Sequence, residues 1–169
     1  MKYAYLLAGH PAPRLDLPPD IEPEAFLKEL ELHLDDEDLG EVSRLLSGDG
    51  DGAGRPVQQH LAFETLLSER IAARRGGSRN ESAGDSTVDR AVAEAWSAAD
   101  PLERERRLDA ARWAAAEDLA IEDPWGLPGV LRTVIQLHLQ TREHAFEPVH
   151  GAAVLHDLIE AIDPGEVAS

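Results

Sequence analysis

The sequence predicts an all-α fold: a single-domain helical bundle of about six or seven helices over residues 1–169, with two flexible Gly/Ser-rich loops near 47–56 and 76–87. Three observations lead there. Apolar residues recur at three- and four-residue spacing through most of the chain, the period that lays one apolar stripe along a helix. Ala, Leu, Glu and Arg, all good helix formers, are abundant, while the β-branched alternation of strands is scarce. Pro, Gly, Asp and Ser stand where such stripes begin and end. A length of 169 residues suits one domain and buries a core without covalent staples.

The elements follow in order. The opening YAYLLA is compatible with a short helix or a strand. Pro23 starts PEAFLKELELHL, where Phe26, Leu27, Leu30 and Leu34 share a side. Asp35 is a natural N-cap for DEDLGEVSRLL, with acids in the first turn and Leu39, Val42, Leu45 and Leu46 behind them. SGDGDGAGRP is a loop, after which VQQHLAFETLLSERIAARR resumes the helical period. GGSRNESAGDST separates that helix from VDRAVAEAWSAA. A helix from Asp100 toward Leu119 follows, then the breaker DPWGLPG, then helices near Pro128–Glu143 and Pro148–Ile162.

The stretch DPLERERRLDAARW is the densest in charge. Asp100 occupies an N-cap position, Pro101 the first helical position, and Glu103 completes an approximate capping box. Leu108, Ala111, Ala115 and Leu119 are expected on one face, and Leu102, Trp113 and Ala120 on another, so the helix meets neighbours on two sides. Glu103–Arg107 and Asp109–Arg112 are attractive at helical spacing and Glu105–Asp109 is repulsive, each worth about 0.2–0.5 kcal/mol. This is the pattern of a salt-laced bundle helix.

Charge and composition narrow the function. The 33 acidic residues against 16 basic ones give a formal net charge of −17, which repels phosphate backbones and anionic lipid. Nucleic acid is therefore excluded as a partner, and no apolar run is long enough for direct membrane insertion. The absence of cysteine removes disulfides and thiol chemistry. The N-terminus lacks a signal-peptide core, so a cytoplasmic protein is expected.

Enzymatic motifs do not form. His138, His144, His150 and His156 recur every six residues, a step of about 600° that turns successive rings apart. The four-residue pairing of zinc helices is missing. In the DGDGAG loop, a calcium site counted from Asp49 would put Ala53 and His60 where ligands belong. No phosphate-binding loop or nucleophile elbow occurs. The sequence therefore assigns no catalytic residue, no metal ligand and no cofactor.

A family resemblance runs through several segments. YAYLLAGHP, Tyr3 to Pro11, then LPPDIEPEAFLKELELHL, then FETLLSERIAARR occur in order. The most telling block is Asp100, Pro101, Leu102, Glu105, Leu108, Asp109, Arg112 and Trp113, and the chain closes with VIQLHLQTREHAFEPVHGAAVLHDLI. Together they resemble an uncharacterised bacterial family encoded beside V-type ATPase genes. That family is faintly similar to the helical C/d subunit that caps the rotor ring. Two departures stand out: His10 sits where the family has an apolar residue, and QLHLQTREH lacks a lysine.

The resemblance implies a non-enzymatic accessory or central-stalk component of a bacterial V-type ATPase, docked on its central stalk or rotor ring. Such a protein is cytoplasmic, peripheral at the inner membrane through the ATPase. The alternatives are an assembly factor for that ATPase, or a small metal-dependent hydrolase using the late histidines with Glu143, Glu147, Asp157 or Glu160. Candidate partner-binding residues are the acidic Asp35, Asp36, Glu37 and Asp38, the basic Arg70, Arg74 and Arg75, and Trp113. An exposed tryptophan among Trp96, Trp113 and Trp125 is a hot-spot candidate.

Overall fold

A computed structural model describes residues 2–76 and 86–145. Among these residues there are seven α-helices and no strand: α1 (Ala4–Ala8), α2 (Pro23–His33), α3 (Asp36–Ser47), α4 (Arg55–Arg75), α5 (Thr87–Trp96), α6 (Pro101–Leu119) and α7 (Leu127–Ala145). The second expected loop falls largely, and the expected helix at Pro148–Ile162 wholly, outside the described residues.

Local chemistry sets the boundaries. The Asp35 carboxylate accepts the Asp38 N–H at 3.0 Å and starts α3, satisfying one of the donors a helix start leaves open. That helix stops at Gly48, whose φ of 73° suits a residue without Cβ. Asp100 accepts the Leu102 N–H at 3.1 Å and Pro101 opens α6. Glu103 does not close the capping box but pairs with Arg107 at 3.1 Å. Ser86 caps α5 by accepting the Asp89 N–H at 3.1 Å, and its hydroxyl donates to the Asp89 carboxylate at 2.8 Å.

Two boundaries differ from the expectation, and the choice left open at YAYLLA resolves as helix, Ala4–Ala8. α4 begins at Arg55, inside the segment read as loop, because Pro56 fits a helix's first turn. α7 begins at Leu127 and takes in Pro128 and Gly129. Gly129 is required there, because a Cβ would overlap the Pro124 carbonyl oxygen.

Two apolar clusters share α4 and α6. The larger joins Leu6, Phe26, Leu30, Val42, Leu45, Val57, Ala116 and Leu119 to the buried side of α7, including Val130, Leu131 and Val134. The smaller joins Leu67 of α4, Val88, Val92 and Ala95 of α5, and Leu108 of α6. Full burial of a side chain such as Phe26 or Leu30, both at most 1% exposed, contributes about 1.5–3 kcal/mol.

α6 contacts neighbours on two sides as expected, but the faces divide differently. Leu108 turns to α5 and Leu119 to the larger cluster, while Ala116 and not Ala115 is the core alanine. The reason is Asp109, 1% exposed on the inward stripe. A buried carboxylate needs donors, and those donors fix the rotation of the helix.

Candidate functional site

The charged centre of the molecule is a seam across α4, α6 and α7. Asp109 of α6 accepts from Arg112 Nη1 at 3.0 Å and from Arg142 Nε of α7 at 3.0 Å, with Arg142 Nη2 also on the carboxylate. Arg112 Nε extends the seam to Glu64 of α4 at 3.2 Å. A second α6–α7 pair, Arg106 Nε to Glu143 Oε1, closes at 2.7 Å. Carboxylates and guanidiniums therefore alternate, Glu64–Arg112–Asp109–Arg142. Arginine is donor-only and keeps its charge. Both carboxylates are held by guanidinium donors, so the seam's chemistry is cohesion of three helices.

Beside the seam lies a groove of about 420 Å³ between α3, α4, α6 and α7. Its walls include Leu45, Leu46, Val134, Ile135 and Leu139, with His60, Glu64, Arg112, His138 and Arg142 among them. Burial holds His60 below the ordinary histidine value, opposed by Glu64 and reinforced by Arg112. Its Nδ1 is buried without a hydrogen-bond partner. His138 Nδ1 lies 2.8 Å from the Val134 carbonyl.

The acidic run at the start of α3 divides in two. Asp35 caps the helix and pairs with Lys2 at 2.6 Å, and Asp38 pairs with Lys2 at 2.7 Å and accepts the Tyr3 hydroxyl. Asp35, and then Asp38, hold the Lys2 ammonium well above the ordinary lysine range. Lys2, with the Asp38 N–H, in turn holds Asp35 below the usual carboxylate value. Burial, aided by Asp38, raises the Tyr3 phenol. Asp36 and Glu37 are exposed, as is Asp35 despite its pair, and Asp38 is partly buried.

The basic run divides as well. Arg70 pairs with Asp89 across α4 and α5 at 2.8 Å. Arg75 reaches Glu105 only at 3.9 Å with its side chain 68% exposed, a pair of little energetic weight. Arg74 is in the last turn of α4, where the helix dipole favours a cation. Trp113 packs against the larger core cluster and donates its indole N–H to Glu117 at 3.2 Å. The structure does not bring the acidic, basic and tryptophan candidates into one site.

Of the late histidines, His138 and His144 lie on α7, while His150 and His156 are outside the described residues. In the expected loop, Asp49 accepts the Asp51 N–H at 2.9 Å. Among the described residues no group of three His, Asp or Glu is arranged to hold a metal ion. His10 meets Phe26 edge-on at 5.5 Å and Glu29 at 2.9 Å.

Two features are not legible in local spacing. Helical spacing pairs Asp109 with Arg112 but does not show its burial, although an aspartate between Leu108 and Ala116 is out of place on an apolar stripe unless paired. The other is the exposure of Tyr5, 97%, and Ile121, 72%; Trp125, at 39%, is the exposed one among the three tryptophans offered as hot-spot candidates. Among the described residues, no helix is long and apolar enough to cross a membrane. Comparison with protein-family models, curated proteins and solved structures finds no match.

Proposed function

We propose that this chain is a non-enzymatic accessory or central-stalk component of a bacterial V-type ATPase, acting by protein–protein docking. One observation carries the proposal. The residues bearing the family resemblance are also the residues that join the helices of this bundle. Tyr3 ties α1 to Asp38 of α3 and, through its N–H, to the Trp125 carbonyl at 2.9 Å. Asp100 and Pro101 start α6. Asp109 and Arg112 link α4, α6 and α7. A signature made of joints specifies a shape, and a shape with a net charge of −17 suits recognition by a partner of complementary charge.

A tagged copy in native membranes, purified gently and analysed by mass spectrometry, tests this. Central-stalk or rotor-ring subunits should co-purify in fixed proportion. Enrichment only of incomplete ATPase assemblies would favour the assembly-factor alternative. Absence of every ATPase subunit would remove the proposed partner.

A further inference from the structure

We infer that the end of the bundle carrying Tyr5, Ile121 and Trp125 is the docking face, and that its partner is a basic amphipathic helix of another protein. The inference rests on the docking role above and adds where contact is made and with what chemistry.

The face is assembled by a few bonds. The Tyr3 N–H donates to the Trp125 carbonyl at 2.9 Å, which sets α1 against the connection between α6 and α7. Lys2 reaches Asp35 and Asp38, which brings the start of α3 to the same end. Tyr5 lies two residues beyond the first bond and Ile121 four residues before Trp125. Single exposed apolar residues are common on protein surfaces, but a tyrosine, an isoleucine and a tryptophan at one end suit an interface core.

Charge selects the occupant. α6 ends with no basic residue in its last turn, although that is where the helix dipole favours a cation. Instead Glu117 and Asp118 occupy the turn and Glu122 and Asp123 follow. The exposed Asp36 and Glu37 add to the same end. Like charges therefore gather around a negative helix terminus. A helix with Lys or Arg beside an aliphatic stripe relieves that repulsion and covers the apolar side chains. Anionic lipid does neither.

The test uses the full chain and a synthetic Leu/Lys peptide with helical period, set against a scrambled isomer of equal charge, by isothermal titration. Wild type should bind the amphipathic peptide about tenfold more tightly than the isomer. Tyr5→Ser with Ile121→Ser should remove that preference, and Asp118→Asn with Glu122→Gln should weaken binding and flatten its salt dependence. Leu32→Ser, at a side chain 81% exposed on α2, should change nothing. Circular dichroism confirms folding, and Ile121→Lys alone is a second probe at an exposed position. Equal affinity for both peptides, or binding unaffected by the Tyr5 and Ile121 changes, overturns the inference. So does self-association of the chain abolished by those same changes. ATPase capture that survives these changes leaves the docking role and removes this face. Peptide binding without ATPase capture leaves the face and removes the ATPase.

Discussion

Replacing Asp109 by Ala should be among the most destabilising single changes in this molecule. The side chain is 2% exposed and both its oxygens accept from arginine. Arg112 is 15% exposed, so its bond to Asp109 is largely shielded, and a hydrogen bond of that charged kind contributes about 1.5–3 kcal/mol. Arg142 is 43% exposed, and once released it can turn to water, so its share is discounted to about 0–1 kcal/mol. The expected loss is about 1.5–4 kcal/mol, its upper end reaching into the 3–5 kcal/mol seen when one partner of a buried pair is removed. For a chain of this size that lowers Tm by about 3–16 °C. A double-mutant cycle refines the test: Asp109 should couple more strongly to Arg112 than to Arg142. Asp109→Leu combined with Arg112→Leu should recover much of the loss, because a well-packed apolar pair replaces a buried ion pair at little cost. Urea denaturation and calorimetry read every variant. A loss within about 0.5 kcal/mol for Asp109→Ala, the level of an ordinary surface change, would refute the buried seam.

Further outcomes follow from the caps, the close approach at Gly129 and the buried histidine. Asp100→Ala should cost about 0.5–2 kcal/mol through the lost N-cap, and an unchanged Tm would show that α6 starts elsewhere. Gly129→Ala should cost about 1–3 kcal/mol by forcing backbone apart at Pro124; a urea midpoint equal to wild type would contradict that close approach. His60 is held below its unfolded value of about 6.5 by burial, so the unfolded chain binds a proton before the folded one does. Its contribution is therefore present above about pH 6.5 and is lost as pH falls through the lower folded value. His60→Gln should flatten the decline in stability below pH 6.5, and a parallel pair of pH–stability curves would assign that decline to other groups.

The sequence made the helices legible because their signals are local. Pro23, Asp35, Asp100 and Pro101 mark starts whatever surrounds them, and the stripe Phe26–Leu30–Leu34 declares its inner face. What escaped depends on distance along the chain. Arg142 is 33 residues from Asp109 and Glu64 is 48 from Arg112, so no window of local periodicity contains the seam. The same limit governed the acidic run. Asp35 was recognised as a cap, but its partner Lys2 stands 33 residues earlier, and the use of Asp38 by Lys2 and Tyr3 is a tertiary fact. Of the four acids from Asp35 to Asp38, two are engaged by Lys2, while Asp35, Asp36 and Glu37 are exposed. Which of the three tryptophans is exposed is likewise a tertiary fact, and it is Trp125.

The division of that acidic run shapes the decisive binding experiment. Neutralising all four acids would remove the α3 cap along with any docking charge, whereas Asp36→Asn with Glu37→Gln leaves Asp35 and Asp38 in place. The most direct measurement mixes the purified chain with detergent-solubilised V-type ATPase from the same cells and quantifies co-elution by size-exclusion chromatography at low and high salt. Docking through an acidic surface predicts stoichiometric co-elution at low ionic strength, reduced when salt screens beyond about 8 Å and reduced again in the Asp36/Glu37 variant. Elution of the wild-type chain apart from the intact ATPase and its subassemblies at every salt concentration would contradict it.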